Sequence, residues 1–347
     1  MQAKHRHMKV VSIAELGGKN ENFVDLPVLD GTPVKWEFFG SQPQNALERL
    51  ITRPRLSRYR AAWQAASAAR NASAIISHLP LMTAVTSKAL RLRGNDDIPH
   101  LAFSFNWTTL PHGTRLASLR NNLKSVERFT VYTDFEVQLY ADAFDIPRER
   151  FSRLDWTQPA PVIGDAGDRL VPHEPFVVSV GGEGRDYRLV LAMARAMPHL
   201  PFVIIARPDP MFDEVPDNVR LFFNIPAPLC WGIASRAAFA LIPLRDDQTC
   251  CGHITLVSAR LLGIPLITSR SLGTREYSEG YRATLIAEPG RADEWIALLD
   301  RVLPQATEFR ALAEQDRLVA SERHDRRVWT NFVANFLRQH VRADRPS

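Results

Sequence analysis

The sequence predicts an α/β fold built as two Rossmann-like domains, and three observations carry that prediction. Short apolar strands alternate with helical stretches along most of the chain, the pattern of parallel sheets with helices on both faces. The alternation stops once, at a proline-rich segment, and then restarts. The chain has 347 residues, about twice a typical domain length.

In order, the first domain opens with VVSIAEL, a strand from Val10 to Ala14 followed by the glycine pair Gly17 and Gly18. VKWEFFG reads as the next strand. LERLITRPRLSRYRAAWQAASAAR reads as a helix broken near Pro54, because proline removes a backbone donor and clashes with the preceding turn. ASAIISHLP is a buried strand with a polar tip at His78, and HLAFSFNW a similar strand ending at Asn106. ERFTVYTD is a further strand and FEVQLYADAF a helix. Parallel sheets bind ligands at the carboxyl ends of their strands, so His78 and Asn106 are candidate site residues.

From Trp156 to Pro175 the periodicity fades, with four prolines between Pro159 and Pro175. This segment reads as an interdomain linker. The expected boundaries are residues 1–156 for the first domain, 157–174 for the linker and 175–325 for the second domain. Residues 326–347 form a terminal helix expected to cross back to the first domain. Within the second domain PFVVSVGG, PFVIIARP, VRLFFNI, FALIPL, PLITSRS and TLIAEPG read as strands. YRLVLAMARAM, LCWGIASRA, ITLVSARLLG and DEWIALLDRVL read as helices.

Composition narrows the class. Hydrophobic residues make up 45% and charged residues 23%, ordinary for a globular chain. No apolar run approaches the ~18 residues of a membrane span, and the N-terminus lacks an apolar signal core, so a cytoplasmic protein is expected. The three cysteines, Cys230, Cys250 and Cys251, have no CxxC spacing and read as reduced thiols rather than zinc ligands. The net charge is +5, and it is concentrated: between Glu48 and Arg93 one acidic residue stands against nine basic ones. Tyr59 and Trp63 lie within that stretch. Two readings fit it, a solvated arginine-rich helix face or a surface for anionic lipid headgroups. No nucleic-acid motif accompanies it, so nucleic acid is not expected as a partner.

The densest signal is TCCGHITLVSARLLGIPLITSRSLG, Thr249 to Gly273. The strand FALIPL runs into a polar loop, Gly252 opens a helix, Gly263 closes it and Pro265 starts the next strand. Free backbone N–H groups and the helix dipole at such a start suit a phosphate. Thr249 and Thr255 add hydroxyls, and His253 falls in the first turn. By local pattern alone a plain βαβ crossover with a glycine cap fits as well.

That segment resembles the donor site of GT-B glycosyltransferases. Gly252, Thr255, Ala259, Gly263 and Pro265 keep the framework of a diphosphate-holding helix with a small-residue–Gly–x–Pro exit. SRSLGTREYSEG, with Gly273, Thr274, Glu276 and Tyr277, resembles the following loop of glycosyltransferase family 4. VVSVGGEGRDYRLVLAMA resembles the strand–loop–helix where that family sets basic residues against the donor phosphates. Arg185 stands at the usual lysine position, and Gly181 and Gly182 replace the arginine that often precedes it. FTVYTDFEVQLYADAFDIPRERFSRLDW resembles the end of the family's first domain. The family's paired glutamates fall at Cys250 and Ser258, neither of them acidic.

The resemblance implies a GT-B architecture, two Rossmann-like domains facing across a cleft. It implies transfer of a sugar from a UDP- or GDP-linked donor to an acceptor hydroxyl, the acceptor being a glycan or lipid-linked glycan. Basic residues and a helix N-terminus replace a metal in this scheme, in keeping with the lack of a DxD motif, and no cofactor is expected. Arg185 is the candidate for offsetting charge on the leaving diphosphate, against a surface arginine paired with Asp186. His78 is the candidate catalytic histidine, against a structural one. Gly182, Gly252, His253, Ile254, Thr255, Ser258, Thr274, Gly17 and Asn106 are the candidate donor-binding positions. For an inverting mechanism Asp30, Glu21 and Glu15 are the available bases. A GT-B epimerase or a non-catalytic nucleotide-sugar binder are the alternatives. A nicotinamide oxidoreductase is disfavoured, since GGEGRD does not give GxGxxG.

Overall fold

The computed structural model describes residues 7–15, 24, 26–51 and 54–340. The chain divides into two units: Met1–Leu154 with Arg326–Ser347, and Asp155–Asp325.

The first unit alternates strand and helix as its sequence demands. Its strands are β1 (Met8–Ala14), β2 (Val28–Leu29), β3 (Thr32–Gly40), β4 (Ala74–His78), β5 (His100–Phe103), β6 (Arg128–Val131) and β7 (Phe151–Arg153). Between them run α1 (Ala46–Leu50), α2 (Leu56–Ala68), α3 (Pro80–Leu92), α4 (Gly113–Leu123) and α5 (Asp134–Phe144). The helix expected to break near Pro54 does so, as α1 and α2. The sheet order is β2-β3-β1-β4-β5-β6-β7. All neighbouring pairs are parallel except β2 with β3. The central strands β4 and β5 are buried along their whole length, which is why they read as largely apolar runs with polar residues at their ends.

The second unit repeats the scheme. It contains α6 (Gly167–Leu170), β8 (Val177–Val180), α7 (Tyr187–Ala196), β9 (Phe202–Ala206), β10 (Val219–Phe223) and α8 (Ala227–Ala234). There follow β11 (Phe239–Ile242), α9 (His253–Leu261), β12 (Leu266–Ser269), α10 (Arg275–Ser278), β13 (Thr284–Ala287), α11 (Ala292–Val302) and α12 (Ala306–Arg323). Its sheet is wholly parallel, in the order β10-β9-β8-β11-β12-β13. One core cluster packs Trp295 and Leu299 of α11 against Phe202 of β9 and Phe239 of β11.

One local reading changes. The strand expected to reach Asn106 ends at Phe103, because Ser104 turns to φ +55° and leaves the sheet. After α12, a break at His324 and Asp325 precedes α13 (Arg326–His340). Trp329 of α13 meets Phe103 edge-on at 5.0 Å, within the first unit.

Residues 157–174, expected as a linker, pack on the second unit. Gly164 donates its N–H to Pro228 O at 2.8 Å, and Gln158 to His324 O at 3.1 Å. A side chain at Gly232 would place its Cβ 2.0 Å from Gly164 O, so the strap lies directly on α8. The segment is therefore packed on the second unit, and includes the short helix α6.

Candidate functional site

The sheet order of the second unit is that of a doubly wound fold whose direction of winding reverses between β8 and β11. Ligands of such sheets sit beyond the strand ends at that reversal. Two loops leave the sheet there, Gly181–Asp186 after β8 and Pro243–Gly252 after β11. They are laced together: Arg185 and Leu244 form an isolated antiparallel bridge. Asp186 N–H donates to Pro243 O at 3.0 Å, and Arg245 N–H to Gly184 O at 3.2 Å.

Arg185 points into this junction and is only 7% exposed. Its Nε donates to Val180 O at 3.2 Å, Nη1 to Glu183 O at 3.3 Å and Nη2 to Thr255 Oγ1 at 3.0 Å. Among the described residues no carboxylate pairs with it. Asp186, the alternative partner, instead caps α7 by accepting from Leu189 N–H at 3.1 Å. A buried guanidinium satisfied by neutral acceptors has paid its desolvation without a counter-charge, a state that an arriving anion relieves.

Gly252 is the N-cap of α9, at φ +102°. That conformation favours glycine, and a Cβ there would stand 3.2 Å from Arg185 Nη1. The first-turn N–H groups of Ile254 and Thr255 have no acceptor inside the helix. Ile254 is exposed, whereas Thr255 is buried and turned to Arg185. The structure thus brings Arg185, Gly252 and Thr255 together around one helix N-terminus.

Other candidates are placed differently. The His253 ring is buried against Tyr277 at 4.6 Å and bonds Gly273 O at 2.7 Å. A carbonyl only accepts, so Nε2 carries the proton. Burial lowers this histidine to about 4, opposed by its bond to Gly273, so the ring is neutral. It ties α9 to the following loop. The Thr249 hydroxyl donates to Asp246 Oδ1 at 2.7 Å. Ser258 accepts from Gln158 Nε2 at 2.6 Å, tying the strap to α9. Thr274 is fully buried, and its hydroxyl has no hydrogen-bond partner among the described residues. Gly182 follows Gly181 in the loop after β8, where a Cβ would meet the Arg207 side chain.

In the first unit, His78 ends β4 at 6% exposure, its ring tilted on Phe103 at 5.2 Å. Burial lowers it to about 3, so it is a neutral hydrogen-bonding group and a weak proton acceptor. Asn106 lies in the loop beyond β5 and donates to Glu136 Oε1 at 2.6 Å. Gly17, Gly18 and Glu21 lie outside the described residues. Glu15 is held by Arg55 and Arg58, and Asp30 by Arg338. Bases for an inverting mechanism are therefore already ion-paired at both described positions.

Sequence reasoning missed Glu136. It is fully buried and accepts from Asn106, Tyr132 N–H at 2.9 Å, Thr133 Oγ1 at 3.2 Å and Tyr140 Oη at 2.9 Å. Burial pushes it up to about 7 against those donors. The Thr133-x-x-Glu136 capping box was the available signal.

Comparison with known proteins bears on the fold. No protein-family model matches the chain, and no curated protein does. Solved structures do match over nearly the whole length. Sucrose-phosphate synthase from Thermosynechococcus elongatus matches at 15% identity and a TM-score of 0.69, covering 96% of this chain and 99% of that one. A glycosyltransferase from Rickettsia africae matches at 10% identity and a TM-score of 0.69, covering 97% and 100%. The fold is GT-B. Anabaena HepE, solved in complex with UDP, matches at 13% identity and a TM-score of 0.65, covering 96% and 100%.

Proposed function

We propose that this GT-B chain is a glycosyltransferase that moves a sugar from a nucleotide-sugar donor to an acceptor hydroxyl. The observation that carries the reading is Arg185, a buried guanidinium without a carboxylate partner at the winding reversal of the second sheet. When the bond from the sugar's anomeric carbon to the diphosphate breaks, negative charge collects on the leaving oxygen. Arg185 and the N-terminus of α9 oppose that charge in a water-poor setting, where fixed donors act most strongly. The acceptor oxygen forms the new bond to the anomeric carbon and passes its proton to the departing diphosphate. These groups supply the positive charge, so the proposed reaction uses no divalent metal.

The donor is read as UDP- or GDP-linked. A likeness to family 4 rests on Gly252, Thr255, Gly263, Pro265 and Arg185, with Cys250 and Ser258 in place of the paired glutamates. Ser258 is occupied by Gln158, so a ribose or sugar contact there needs that bond to open.

The acceptor is read as a lipid-linked or polysaccharide intermediate, met at an anionic membrane surface through residues 49–93 of the first unit. Leu50, Tyr59 and Trp63 are exposed on α1 and α2 of that region. Among the described residues no helix is long and apolar enough to cross a membrane.

Thermal-shift screening with UDP, GDP, ADP and their sugars tests the reading. A nucleotide diphosphate is expected to raise the melting temperature by mass action, and incubation with its sugar and a glycan acceptor to release it. A chain that binds none of them is not a glycosyltransferase of this kind. Epimerised sugar, or binding without turnover, would select the epimerase or the non-catalytic reading instead.

A further inference from the structure

The loop after β8 is bracketed by two arginines, and only one of them was visible from the family motif. A Cβ at Gly181 would stand 2.8 Å from Arg185 Nη2, and a Cβ at Gly182 would stand 2.9 Å from both Cδ and Nε of Arg207. Neighbouring glycines thus make room for two guanidinium side chains. Arg207 follows β9, the strand beside β8 on the side away from β11. Both arginines also meet Glu183. Arg185 Nη1 donates to its carbonyl at 3.3 Å, and Arg207 Nη1 to its Oε1 at 2.6 Å.

The two cations differ in state. Arg185 is buried and fixed by neutral acceptors. The Arg207 and Glu183 side chains are 66% and 61% exposed. An ion pair that exposed contributes little to stability and exchanges easily. A carboxylate is thus the present occupant of a guanidinium that overhangs a phosphate-type loop.

We propose that Arg207 is a second donor-diphosphate ligand, held in reserve by Glu183 and released to the phosphate when the nucleotide sugar enters. This rests on the donor-site reading above and extends it. Gly181 and Gly182 replace a basic residue in the loop, and Arg207 returns that charge from the neighbouring strand. The Glu183 carboxylate competes with the diphosphate for Arg207. Its removal therefore strengthens binding, whereas removal of Arg207 weakens it.

Titration calorimetry with UDP and with GDP tests this on wild type, Arg207→Ala, Glu183→Gln and Gly182→Ala. For whichever nucleotide the wild type binds, Arg207→Ala is expected to raise Kd about tenfold or more, the scale of one charge-assisted contact. Glu183→Gln is expected to lower Kd severalfold. Gly182→Ala, whose Cβ displaces Arg207, should raise it. Melting temperatures of Arg207→Ala and Glu183→Gln should stay near wild type, because both side chains are exposed. An Arg207→Ala chain that binds as tightly as wild type overturns the proposal alone. A Glu183→Gln chain that binds more weakly also overturns it, since Glu183 would then be helping rather than competing. A wild-type chain with no affinity for either nucleotide overturns the donor-site reading and this proposal with it.

Discussion

The Nη2 of Arg185 donates to the hydroxyl of Thr255 at 3.0 Å, joining the loop after β8 to the first turn of α9. This contact fixes the direction of a buried positive charge before any anion arrives. It separates two quantities that usually move together, stability without ligand and affinity for ligand.

Replacing Arg185 with methionine should therefore leave the ligand-free melting temperature unchanged or raise it. The substitution removes a buried charge that has no carboxylate and fills similar volume with apolar atoms. Transfer should fall by about 10²-fold or more, the scale seen when one fixed donor to a developing anion is lost. Differential scanning fluorimetry and initial rates on the same preparation measure both. A variant that retains full activity would remove Arg185 from the chemistry.

Thr255→Val keeps the shape of the side chain and deletes the acceptor for Arg185. One lost hydrogen bond of about 1 kcal/mol corresponds to roughly fivefold in kcat/KM. Thr255→Ser, which keeps the hydroxyl, should restore most of it. Equal rates in the valine and serine variants would show that the hydroxyl does not orient Arg185.

His253 gives the fold an acid-sensitive side. Burial lowers it to about 4 from an ordinary value near 6.5. Between those values the unfolded chain takes up a proton that the folded chain refuses. Its contribution is present above about pH 6.5 and is lost as pH falls toward 4. His253→Gln retains an amide donor for Gly273 O, and its urea midpoint should fall less steeply over that window. Parallel slopes in the two proteins would mean that His253 is not the group responsible.

Glu136 has the opposite sign. Its folded value is raised to about 7 by burial, above the ordinary 4.5. Its contribution is complete below about pH 4.5 and is lost as pH rises through 7, by up to about 3 kcal/mol. Glu136→Gln should flatten that decline, whatever constant offset the altered hydrogen bonding introduces. Urea titrations at half-unit pH steps from 4.5 to 7.5 measure the slope directly.

At the first unit's surface, paired Tyr59→Ser and Trp63→Ser substitutions should reduce sedimentation with vesicles of anionic phospholipid. Charge reversal at Arg55, Arg58 or Arg60 is a poorer probe, because Glu15 and Glu48 already hold those side chains. Unchanged sedimentation of the double variant would remove the membrane reading.

Much of this molecule is legible from local sequence, for a physical reason. Gly252 and Gly263 bound α9 because a left-handed backbone is open to glycine wherever it stands. Arg185 follows β8 at a spacing set by the strand and loop alone. Other roles depended on distant partners. Nothing near Ser258 announces that Gln158 bonds it, and nothing near His253 announces that its ring turns to Gly273. Asn106 was misplaced because Ser104 leaves the strand through a conformation unusual for serine. Arg207 becomes meaningful only once β9 is known to lie beside β8. Glu136 was within reach, since its capping threonine stands three residues before it.

The helix α13 has a consequence for how the polypeptide is made. The edge contact between Phe103 and Trp329 joins residues separated by the entire second unit. On a translating ribosome, residues 155–325 emerge complete while the earlier residues still lack their last packing partner. The first unit begins before the second and is completed after it, so Phe103 lacks its Trp329 partner until α13 leaves the exit tunnel.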